Sequence, residues 1–451
     1  MRKLPFEGIR VIDLTSVYAM PYAGAVMGDF GAEVIKIEGP GRTDMIRGGG
    51  VGGAAFPDMD PGEDPWNRVS TFNQLNRSKR SITLDLSKDE GRDVLRQLVS
   101  VSDVVLENYT PRVMRSWGMD YPNIVKLKPD IIFASNTGYG HGGGPYSLWP
   151  AQATTQEATH GLCWVTGYNK GIPSKAGASY VDFLACWSAL FAIICALRHR
   201  NKTGKGQWID VGMYQLGAYG VSEYILDYAV NGRIGERIGN RHPWRAPQGC
   251  YPCFGEDNWC VMSVGNDEEW TALCNEIGRP DLAIDASYAN NERRMALHDT
   301  IDVIISEWTR TLNKTEVMER LQRVGVPAGI VADARDSNVS PHYWARGFLE
   351  KVEFPEGRGM GNRVMMGQPW KFSKTSIEIP RPASKLGEDN AYILQELLGQ
   401  SENTIEQLQK DGIISDRPSS PVKPVNPSLE EQVRLGKLAY YDSDYKKGLG
   451  I

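Results

Sequence analysis

The fold class is decided by three consecutive segments: IRVIDLT (9–15), PYAGAVMGDFG (21–31) and AEVIKIE (32–38). The first and third are short β-branched apolar runs, which favour buried strands, and the second predicts a helix that ends at Gly31. The same alternation recurs in SITLDLS (81–87), DVVLEN (103–108) and DIIFASNTG (130–138). It predicts an α/β fold of βαβ units, with a mostly parallel sheet covered by helices on both faces. Ligands of such sheets usually bind at loops along one edge.

The rest of the chain predicts a second domain. We expect the large domain over 1–215 to be completed by about 385–415, and a linker over 216–239 to lead away from it. Strand patterns and amphipathic helices predict a small α+β domain over 240–335. A Gly- and Pro-rich return linker then covers 336–384, and a C-terminal extension, Pro/Ser-rich at its start, covers 416–451.

Composition excludes several classes of protein. The 451 residues carry a net charge of -5, so there is no basic excess for binding nucleic acid. Seven scattered cysteines argue against a disulfide framework and for a reducing compartment. The N-terminus shows no secretion signal, and the most apolar stretch, 183–197, is shorter than the ~20 residues of a membrane span. We therefore expect a cytoplasmic protein without a membrane partner.

One glycine motif suggests a nucleotide cofactor but lacks the required context. Gly138, Gly140 and Gly143 form G-x-G-x-x-G after a predicted strand. The dinucleotide fingerprint also needs a helix that opens at the third glycine. Pro145 and Pro150 follow instead, so the segment is interpreted as a flexible loop near a site.

Metal chemistry has little support in the pattern. Cys250 and Cys253 form C-x-x-C, but no second pair or suitably spaced histidines accompany them, so we interpret them as strand residues. No H-x-x-x-H pair and no G-x-S-x-G elbow occur. We expect no metal and no tightly bound cofactor.

Asp182 precedes the most apolar stretch of the chain, in GASYVDFLACWSALFAIICAL (177–197). One interpretation is a helix N-cap, whose carboxylate accepts hydrogen bonds from the first amides. The other is a nucleophile, because helix-end amides favour an ionised carboxylate and one exposed oxygen can attack a substrate. The residues alone leave both interpretations open.

The chain resembles the class III CoA-transferases over nearly its whole length. The resemblance is carried by ordered blocks: GIRVIDLT, GAEVIKIE, Lys79-Arg80-Ser81 with LDL, LENYTP, FASNTGYGHGGGP, Asp182, NKTGKGQWIDVGM, GVPAG, and QPWKFS followed by LGED. It implies a Rossmann-like large domain, a small domain and two long linkers that form a ring. Two such rings interlock, so an obligate dimer is expected, either of one chain or with a related subunit.

The resemblance also implies the substrates and the mechanism. Coenzyme A thioesters and free carboxylic acids are the expected substrates. Asp182 attacks the donor thioester to form a mixed anhydride, CoA then forms an aspartyl thioester, and the acceptor acid takes CoA away. Amides of glycine-rich loops are expected to stabilise the oxyanions, and water must be excluded from the anhydride.

The site residues follow by position in the matching blocks. Those expected around the intermediate are Val17, Tyr18, Ala19, Gly140 and Gln152; those expected to bind CoA are Lys79, Arg80, Asn108, Tyr109, Arg112, Arg115 and Met213. Lys79 and Arg80 would contact phosphate, although the pattern alone favours surface charges.

This chain departs from formyl-CoA transferase at several of these positions. Tyr18 replaces a Gln, Gln152 replaces a Tyr, and Gly39 and Ser116 replace arginines, so formyl or oxalate specificity is not expected. The alternative of the same fold is an α-methylacyl-CoA racemase, which needs a His opposite Asp182; Gln152 stands there and His160 lies eight residues on. The RAPQGCYPC stretch and the Tyr-rich tail resemble the benzylsuccinate CoA-transferases of anaerobic toluene degradation, and this resemblance implies succinyl-CoA as the donor and benzylsuccinate as the acceptor.

Overall fold

The computed structural model describes residues 4–48, 55–177, 180–421, 424 and 427–451. The chain divides into two compact units. Unit 1 comprises Met1–His160, Gly177–Ser222 and Asn338–Ile451, and unit 2 comprises Gly161–Ala176 and Glu223–Ser337.

Unit 1 is built on a six-stranded sheet in the order β3-β2-β1-β4-β5-β6, with every neighbouring pair parallel. Its strands are β1 (Arg10–Asp13), β2 (Glu33–Glu38), β3 (Lys79–Thr83), β4 (Val104–Glu107), β5 (Ile132–Thr137) and β6 (Gln207–Gly212). This is the strand order of the Rossmann fold. The predicted α/β class and parallel sheet are confirmed.

The helices in the first half of the chain are α1 (Ala19–Asp29), α2 (Ser70–Asn76), α3 (Asp89–Ser100), α4 (Pro111–Ser116), α5 (Tyr121–Leu127), α6 (Ala153–Thr159), α7 (Leu162–Val165), α8 (Tyr180–Thr203), α9 (Met213–Tyr219) and α10 (Ser222–Asn231). Alternate strand residues bury opposite faces of the sheet. Val11 and Val34 join the core cluster that includes α1 and α8, whereas Ile12 and Ile35 join the cluster that includes α3. Continuous apolar strands are therefore buried on both faces.

The sheet has a topological switch point between β1 and β4. Chain order runs outward on both sides of this pair, and Asp13 on β1 lies opposite Leu106 on β4. A crevice opens at such a point beyond the carboxyl ends of the strands, and ligands of open α/β sheets bind there. The loops that follow β1 and β4 are therefore the first places to examine for a site.

Helix α8 is longer than the sequence pattern suggested. It spans 24 residues, and by length and composition alone it could cross a membrane, which corrects the expectation that this stretch is too short. Yet Ala189, Ile193 and Leu197 are buried in the core cluster of unit 1, and α8 packs against α1 and β5. We therefore interpret it as a core helix, and the cytoplasmic location stays a prediction.

Unit 2 has its own antiparallel sheet and core. The sheet, in the order β7-β8-β9, consists of β7 (Gln248–Pro252), β8 (Trp259–Ser263) and β9 (Ala328–Ile330). The helices that follow β8 along the chain are α11 (Asp267–Glu276), α12 (Pro280–Ile284), α13 (Asn291–Ala296), α14 (His298–Thr309), α15 (Lys314–Arg323) and, after β9, α16 (Ala334–Asn338). Cys250 lies on β7, Cys253 just after it and Cys260 on β8, and all are free thiols. The described residues hold no group of three possible metal ligands.

The C-terminal part of the chain returns to unit 1. It contains α17 (Pro341–Ala345), β10 (Leu349–Glu353), β11 (Asn362–Met366), a π-helical segment (Tyr392–Leu397), α18 (Glu402–Lys410), α19 (Leu429–Arg434) and α20 (Tyr445–Leu449). The C-terminal extension contacts this unit, because Tyr445 and Lys446 both bind Asp58. The Pro/Ser-rich linker predicted over 416–427 lies partly outside the described residues. The predicted boundaries differ from the two units chiefly at 161–176, which belongs to unit 2.

Candidate functional site

Asp182 lies in the first turn of α8, which begins at Tyr180. It is therefore inside the helix and not at the N-cap, which corrects one of the two interpretations of the sequence. Its helix neighbours Val181 and Ala185 form a small buried cluster with Ala19 and Met213. The structure thus brings two of the predicted site residues, from the loop after β1 and the start of α9, to the turn that carries Asp182.

The carboxyl of Asp182 is buried without a cation. Burial raises its pKa to about 6, from an ordinary value of 3.8. Hydrogen bonds from the backbone N–H of Ala19 and from its own N–H act against burial, and the negative charge of Glu157 raises the pKa further. Among the described residues, no positive charge acts on this group. The carboxyl is ionised at neutral pH yet poorly solvated, which favours reactivity as a nucleophile.

The loop after β1 holds Val17 in a strained conformation. Val17 has a φ of 75°, which is unfavourable for a β-branched residue. Its N–H and the hydroxyl of Ser16 both donate to Oδ1 of Asp44, at 3.0 and 2.9 Å. Asp44 is itself paired with the buried Lys36 at 3.0 Å. Strain of this kind persists only where surrounding contacts enforce it, and it occurs mainly at functional sites.

Tyr18 follows directly on this strained residue. Burial, and the charge of Asp182 after it, raise the pKa of Tyr18 above its ordinary value. The phenol is therefore neutral at working pH and can donate a hydrogen bond. The structure places Tyr18 close enough to Asp182 for the two groups to interact, as the family resemblance implied.

Asn108 spans the switch point of the sheet. Its Oδ1 accepts the N–H of Ser16 at 2.9 Å, and its Nδ2 donates to the carbonyl of Ser16 at 2.8 Å. The amide of Asn108 therefore ties the loop after β4 to the loop after β1, and its contact with CoA stays a prediction. Tyr109 is next in the chain, and burial raises its pKa to about 12.

Gly140 lies in the glycine loop after β5. Its φ of 86° suits glycine, and its N–H donates to Oγ1 of Thr137 at 2.9 Å. The N–H of His141 donates to Asp210 at 2.8 Å. These two amides donate hydrogen bonds within the protein, and the stabilisation of an oxyanion by amides of glycine-rich loops stays a prediction. A Cβ on Gly212 would lie 3.3 Å from the nitrogen of Gly140, so the loop passes beside the residue that precedes Met213.

Lys79 and Arg80 are both paired with carboxylates. The ammonium of Lys79 is buried and donates to Asp13 at 2.6 Å, to the carbonyl of Pro21 at 2.7 Å and to Asn76 at 2.8 Å. All three of its donors are used, so it cannot bind a phosphate in this structure, and it is not the surface charge that the pattern favoured. Arg80 is the second residue of β3 and pairs with Asp389 at 2.9 Å. It lies at the amino end of its strand, away from the edge that carries Asn108 and Gly140.

Arg112 and Arg115 lie on α4, which follows Tyr109. Arg112 is exposed and makes no hydrogen bond or ion pair with any residue that the structure describes. Arg115 is also exposed, and its Nε is 3.9 Å from Asp120. Sequence reasoning missed Arg42, an exposed residue in the loop after β2, whose charge acts on Tyr109. These arginines leave positive charge free near the switch point.

Gln152 precedes α6 and is exposed, with its N–H donating to Thr155 at 3.1 Å. The residue whose charge acts on Asp182, Glu157, comes one turn later. Gln156 and Glu157 are fully buried, and Oε1 of Glu157 accepts the N–H of Tyr180 at 3.3 Å. No described residue is a hydrogen-bond partner of the Gln156 amide. The Gln-Glu pair stands in the sequence without a motif, so no signal there could have identified it.

His160, the histidine that the racemase alternative would need as its second base, lies at the C-terminal end of α6. Its ring is buried against Gly217, where a Cβ would lie 2.0 Å from it. Burial lowers the pKa of His160, and the charge that acts on it is that of Glu157. No observation places this imidazole opposite Asp182.

Comparison with known proteins gives one consistent family. The model of CoA-transferase family III matches residues 6–390. Succinate–glutarate CoA-transferase of Agrobacterium fabrum is 34% identical over 88% of this chain and 96% of its own. The β subunit of succinyl-CoA–L-malate CoA-transferase of Chloroflexus aurantiacus is 31% identical over 91% and 98%. A CaiB/BaiF family protein from Brucella suis superposes with a TM-score of 0.78 at 30% identity, over 88% of this chain and all of the other.

Proposed function

This chain belongs to CoA-transferase family III, and from that premise we propose that it transfers CoA between carboxylic acids with Asp182 as the covalent nucleophile. The observation that carries the proposal is the buried, cation-free carboxyl of Asp182, whose pKa is raised to about 6. An ion pair would make the carboxylate a poor nucleophile. Burial without an ion pair leaves the carboxylate of Asp182 ionised at neutral pH, with no positive charge to stabilise it.

The proposed reaction conserves charge and needs no external proton. The carboxylate of Asp182 attacks the donor thioester, the carbon–sulfur bond breaks, and CoA leaves as a thiolate. The thiolate attacks the aspartyl carbonyl of the anhydride, which forms an aspartyl thioester and frees the donor acid. An acceptor carboxylate then repeats the two steps in reverse. Because Asp182 is only 9% exposed, little water reaches the anhydride.

Neighbouring residues take distinct parts in this proposal. The neutral hydroxyl of Tyr18 donates to the oxygen that becomes negative in the tetrahedral intermediates. Ala19 orients Asp182 through its N–H, and Met213 lines the path of the thioester. Arg42 and Arg112 bind CoA phosphates in place of Lys79 and Arg80, because their charges are free at the carboxyl edge of the sheet.

Succinyl-CoA is the proposed donor, because the two relatives compared above are named for succinate or succinyl-CoA. An aromatic dicarboxylate such as benzylsuccinate is the proposed acceptor. This choice of acceptor is supported by an aromatic cluster around the glycine loop. The ring centroid of Tyr139 lies 5.6 Å from those of Tyr146 and Tyr214, and the ring centroids of Tyr146 and Trp149 are 4.4 Å apart. Trp149 is 55% exposed and is free to pack on an aromatic substrate.

An interlocked dimer is part of the proposal. On α8, Phe191 is 71% exposed and Ile194 is 48% exposed, although the opposite face of the helix is core. Large apolar side chains on one face of a helix are typical of a subunit interface. Light scattering should therefore give twice the 50.1 kDa chain mass. A monomer that gains activity only with a co-purified relative would instead indicate a heteromer, as in the enzyme whose β subunit is similar to this chain.

Intact-mass spectrometry tests the nucleophile directly. Wild-type protein and Asp182→Ala are incubated with succinyl-CoA, with Asp281→Ala as a control that removes an exposed carboxylate from unit 2. We expect a CoA-sized mass increase in the wild type and in the control, and none in Asp182→Ala. The same increase in all three proteins would exclude Asp182. No increase with succinyl-CoA, but one with another acyl-CoA, would retain the nucleophile and reject the donor.

A further inference from the structure

His141 is the one loop residue of the glycine motif whose side chain turns inward. Its side chain is only 10% exposed. Nε2 lies 3.2 Å from Oε1 of Glu107 and Nδ1 lies 3.4 Å from Oδ1 of Asp210. The two carboxylates come from β4 and β6, the strands on either side of β5, which carries the loop.

The geometry favours an imidazolium. A neutral imidazole has one N–H donor and can serve one carboxylate, whereas an imidazolium faces Glu107 and Asp210 with positive charge at both ring nitrogens. Glu107 is fully buried, and among the described residues His141 is the only cation within ion-pair distance of it. A buried carboxylate without a partner is strongly unfavourable. Loss of the proton from His141 therefore leaves Glu107 uncompensated.

The same carboxylates hold the neighbouring loops. Oε2 of Glu107 accepts the N–H of Tyr109 at 2.9 Å. Asp210 also accepts the N–H of His141 at 2.8 Å. From Tyr109 the chain of contacts runs through Asn108 to Ser16, and so to the loop whose Ala19 donates to Asp182. Loops after β1, β4 and β5 are thus joined in one polar network.

We infer that His141 is a positioning residue that, as an imidazolium between Glu107 and Asp210, holds the loops around Asp182 in the geometry for CoA transfer. This inference rests on the proposed function, because its effect is read through that reaction. The charged groups that face the ring are Glu107 from β4 and Asp210 from β6, and the Trp208 ring lies 5.5 Å from it.

The pKa of His141 agrees with this role. Burial lowers it, but the nearby carboxylates of Asp210 and Glu107 outweigh burial and raise the pKa to about 9. Because the folded-state pKa lies above the ordinary 6.5, the clamp that His141 forms with Glu107 and Asp210 stabilises the fold fully below about pH 6.5, and this stabilisation declines at higher pH. Its contribution is lost as the pH rises through about 9.

Isotope exchange between succinyl-CoA and labelled succinate tests the inference without an acceptor acid. The rate is measured from pH 7 to 9.5 in wild type, His141→Gln, His141→Arg and the control His199→Gln, which removes an exposed histidine of α8. We expect the wild-type and control rates to fall near pH 9. His141→Gln should be about tenfold slower at pH 7.5 and show no such fall, and His141→Arg should keep its rate at pH 9.5. A His141→Gln profile parallel to the wild type would overturn the inference.

Thermal unfolding separates this inference from the proposed function. The wild-type Tm should exceed that of His141→Gln at pH 7, and the difference should shrink as the pH rises through 9. If wild type shows no exchange at any pH, the proposed donor fails, and the Tm difference still decides whether the clamp exists. A Tm difference independent of pH would overturn it, as would a changed Tm with an unchanged exchange profile.

Discussion

Asp13 and Asp182 are both buried carboxyls of unit 1, yet their surroundings are opposite. Asp13 is fully buried and paired with Lys79 at 2.6 Å. Burial would raise its pKa, but the charges of Lys79 and Lys36 and the hydrogen bonds of Lys79 and Thr15 hold that pKa below its usual range. Asp182 has no such partner, and burial dominates its pKa.

Under the proposed function, the contrast separates a structural carboxylate from a reactive one. Asp13 ends β1 and joins it through Lys79 to β3, so its charge is used within the fold. Asp182 is held by backbone amides alone and keeps bonding capacity for a substrate. Burial by itself therefore does not indicate a reactive acid, whereas burial without a cation favours the reactive role proposed for Asp182.

The largest expected effect is on activity at Asp182. Asp182→Asn keeps the shape of the side chain but removes the attacking oxygen anion, so CoA transfer should fall at least about 1000-fold. The assay is isotope exchange between succinyl-CoA and labelled succinate. Activity within a few-fold of wild type would show that another group attacks the thioester.

The second prediction concerns the ion pair of Lys79 with Asp13, from which a substitution of Lys79 removes the cation. Lys79→Met leaves Asp13 buried and unpaired, and the free energy of unfolding should fall by about 3–5 kcal/mol. Chemical denaturation measures this. Arg80→Met, which removes a half-exposed cation from the same strand, is the matched control and should cost much less. If Lys79→Met is as stable as wild type but binds CoA poorly, Lys79 is a ligand after all.

Removing the charge of Asp182 should stabilise the fold. Its pKa is about 6 in the folded state against 3.8 ordinarily, so the ionised group disfavours folding at pH 7 and above. At ~1.4 kcal/mol for each unit, Asp182→Asn should gain up to about 3 kcal/mol at pH 7. At pH 4, where the folded carboxyl is already neutral, most of the gain should vanish. A destabilised variant at pH 7 would mean that the charge is compensated.

The pH dependence of transfer should reveal the same group. Only the ionised carboxyl attacks, so the single-turnover rate should fall about tenfold for each pH unit below 6. Rapid-quench measurement of CoA-adduct formation from pH 4.5 to 7.5 shows this limb. A rate that is constant down to pH 4.5 would place the pKa of the nucleophile near that of an ordinary aspartate.

Tyr18→Phe should have the smallest effect. It removes one hydrogen bond to the developing oxyanion, so the transfer rate should fall about tenfold while the adduct still forms. Its matched control is Tyr180→Phe, which changes a tyrosine two residues before Asp182 whose backbone N–H, not its hydroxyl, is used there. Equal rates for both variants would remove Tyr18 from the mechanism.

Sequence patterns predicted the fold because apolar continuity is a local property. Strands such as VVLE (104–107) are buried on both faces, which produces uninterrupted β-branched runs that can be read without a structure. The role of Asp182 as the nucleophile was predicted from the resemblance, since the local sequence pattern also fitted a helix cap. The correct boundary of α8 needed the structure, as it begins two residues before Asp182.

The partners of charged side chains were not predictable in the same way. Lys79 and Arg80 are adjacent in a matching block, yet one is buried against Asp13 and the other pairs with Asp389, more than 300 residues away. His141 and Glu107 both stood inside quoted motifs, but nothing local shows that β5 brings them within 3.2 Å. Such pairs depend on contacts between distant segments.

The sequence by itself determined the α/β class, the edge at which a ligand should bind and the family, because continuous apolar runs and ordered blocks are written along the chain. Only the tertiary structure decided which charged side chains are paired within the fold and which remain available for the reaction. The physical reason is that the ionisation and reactivity of a group depend on its burial and its nearest opposite charge, and strand order, not chain order, sets both.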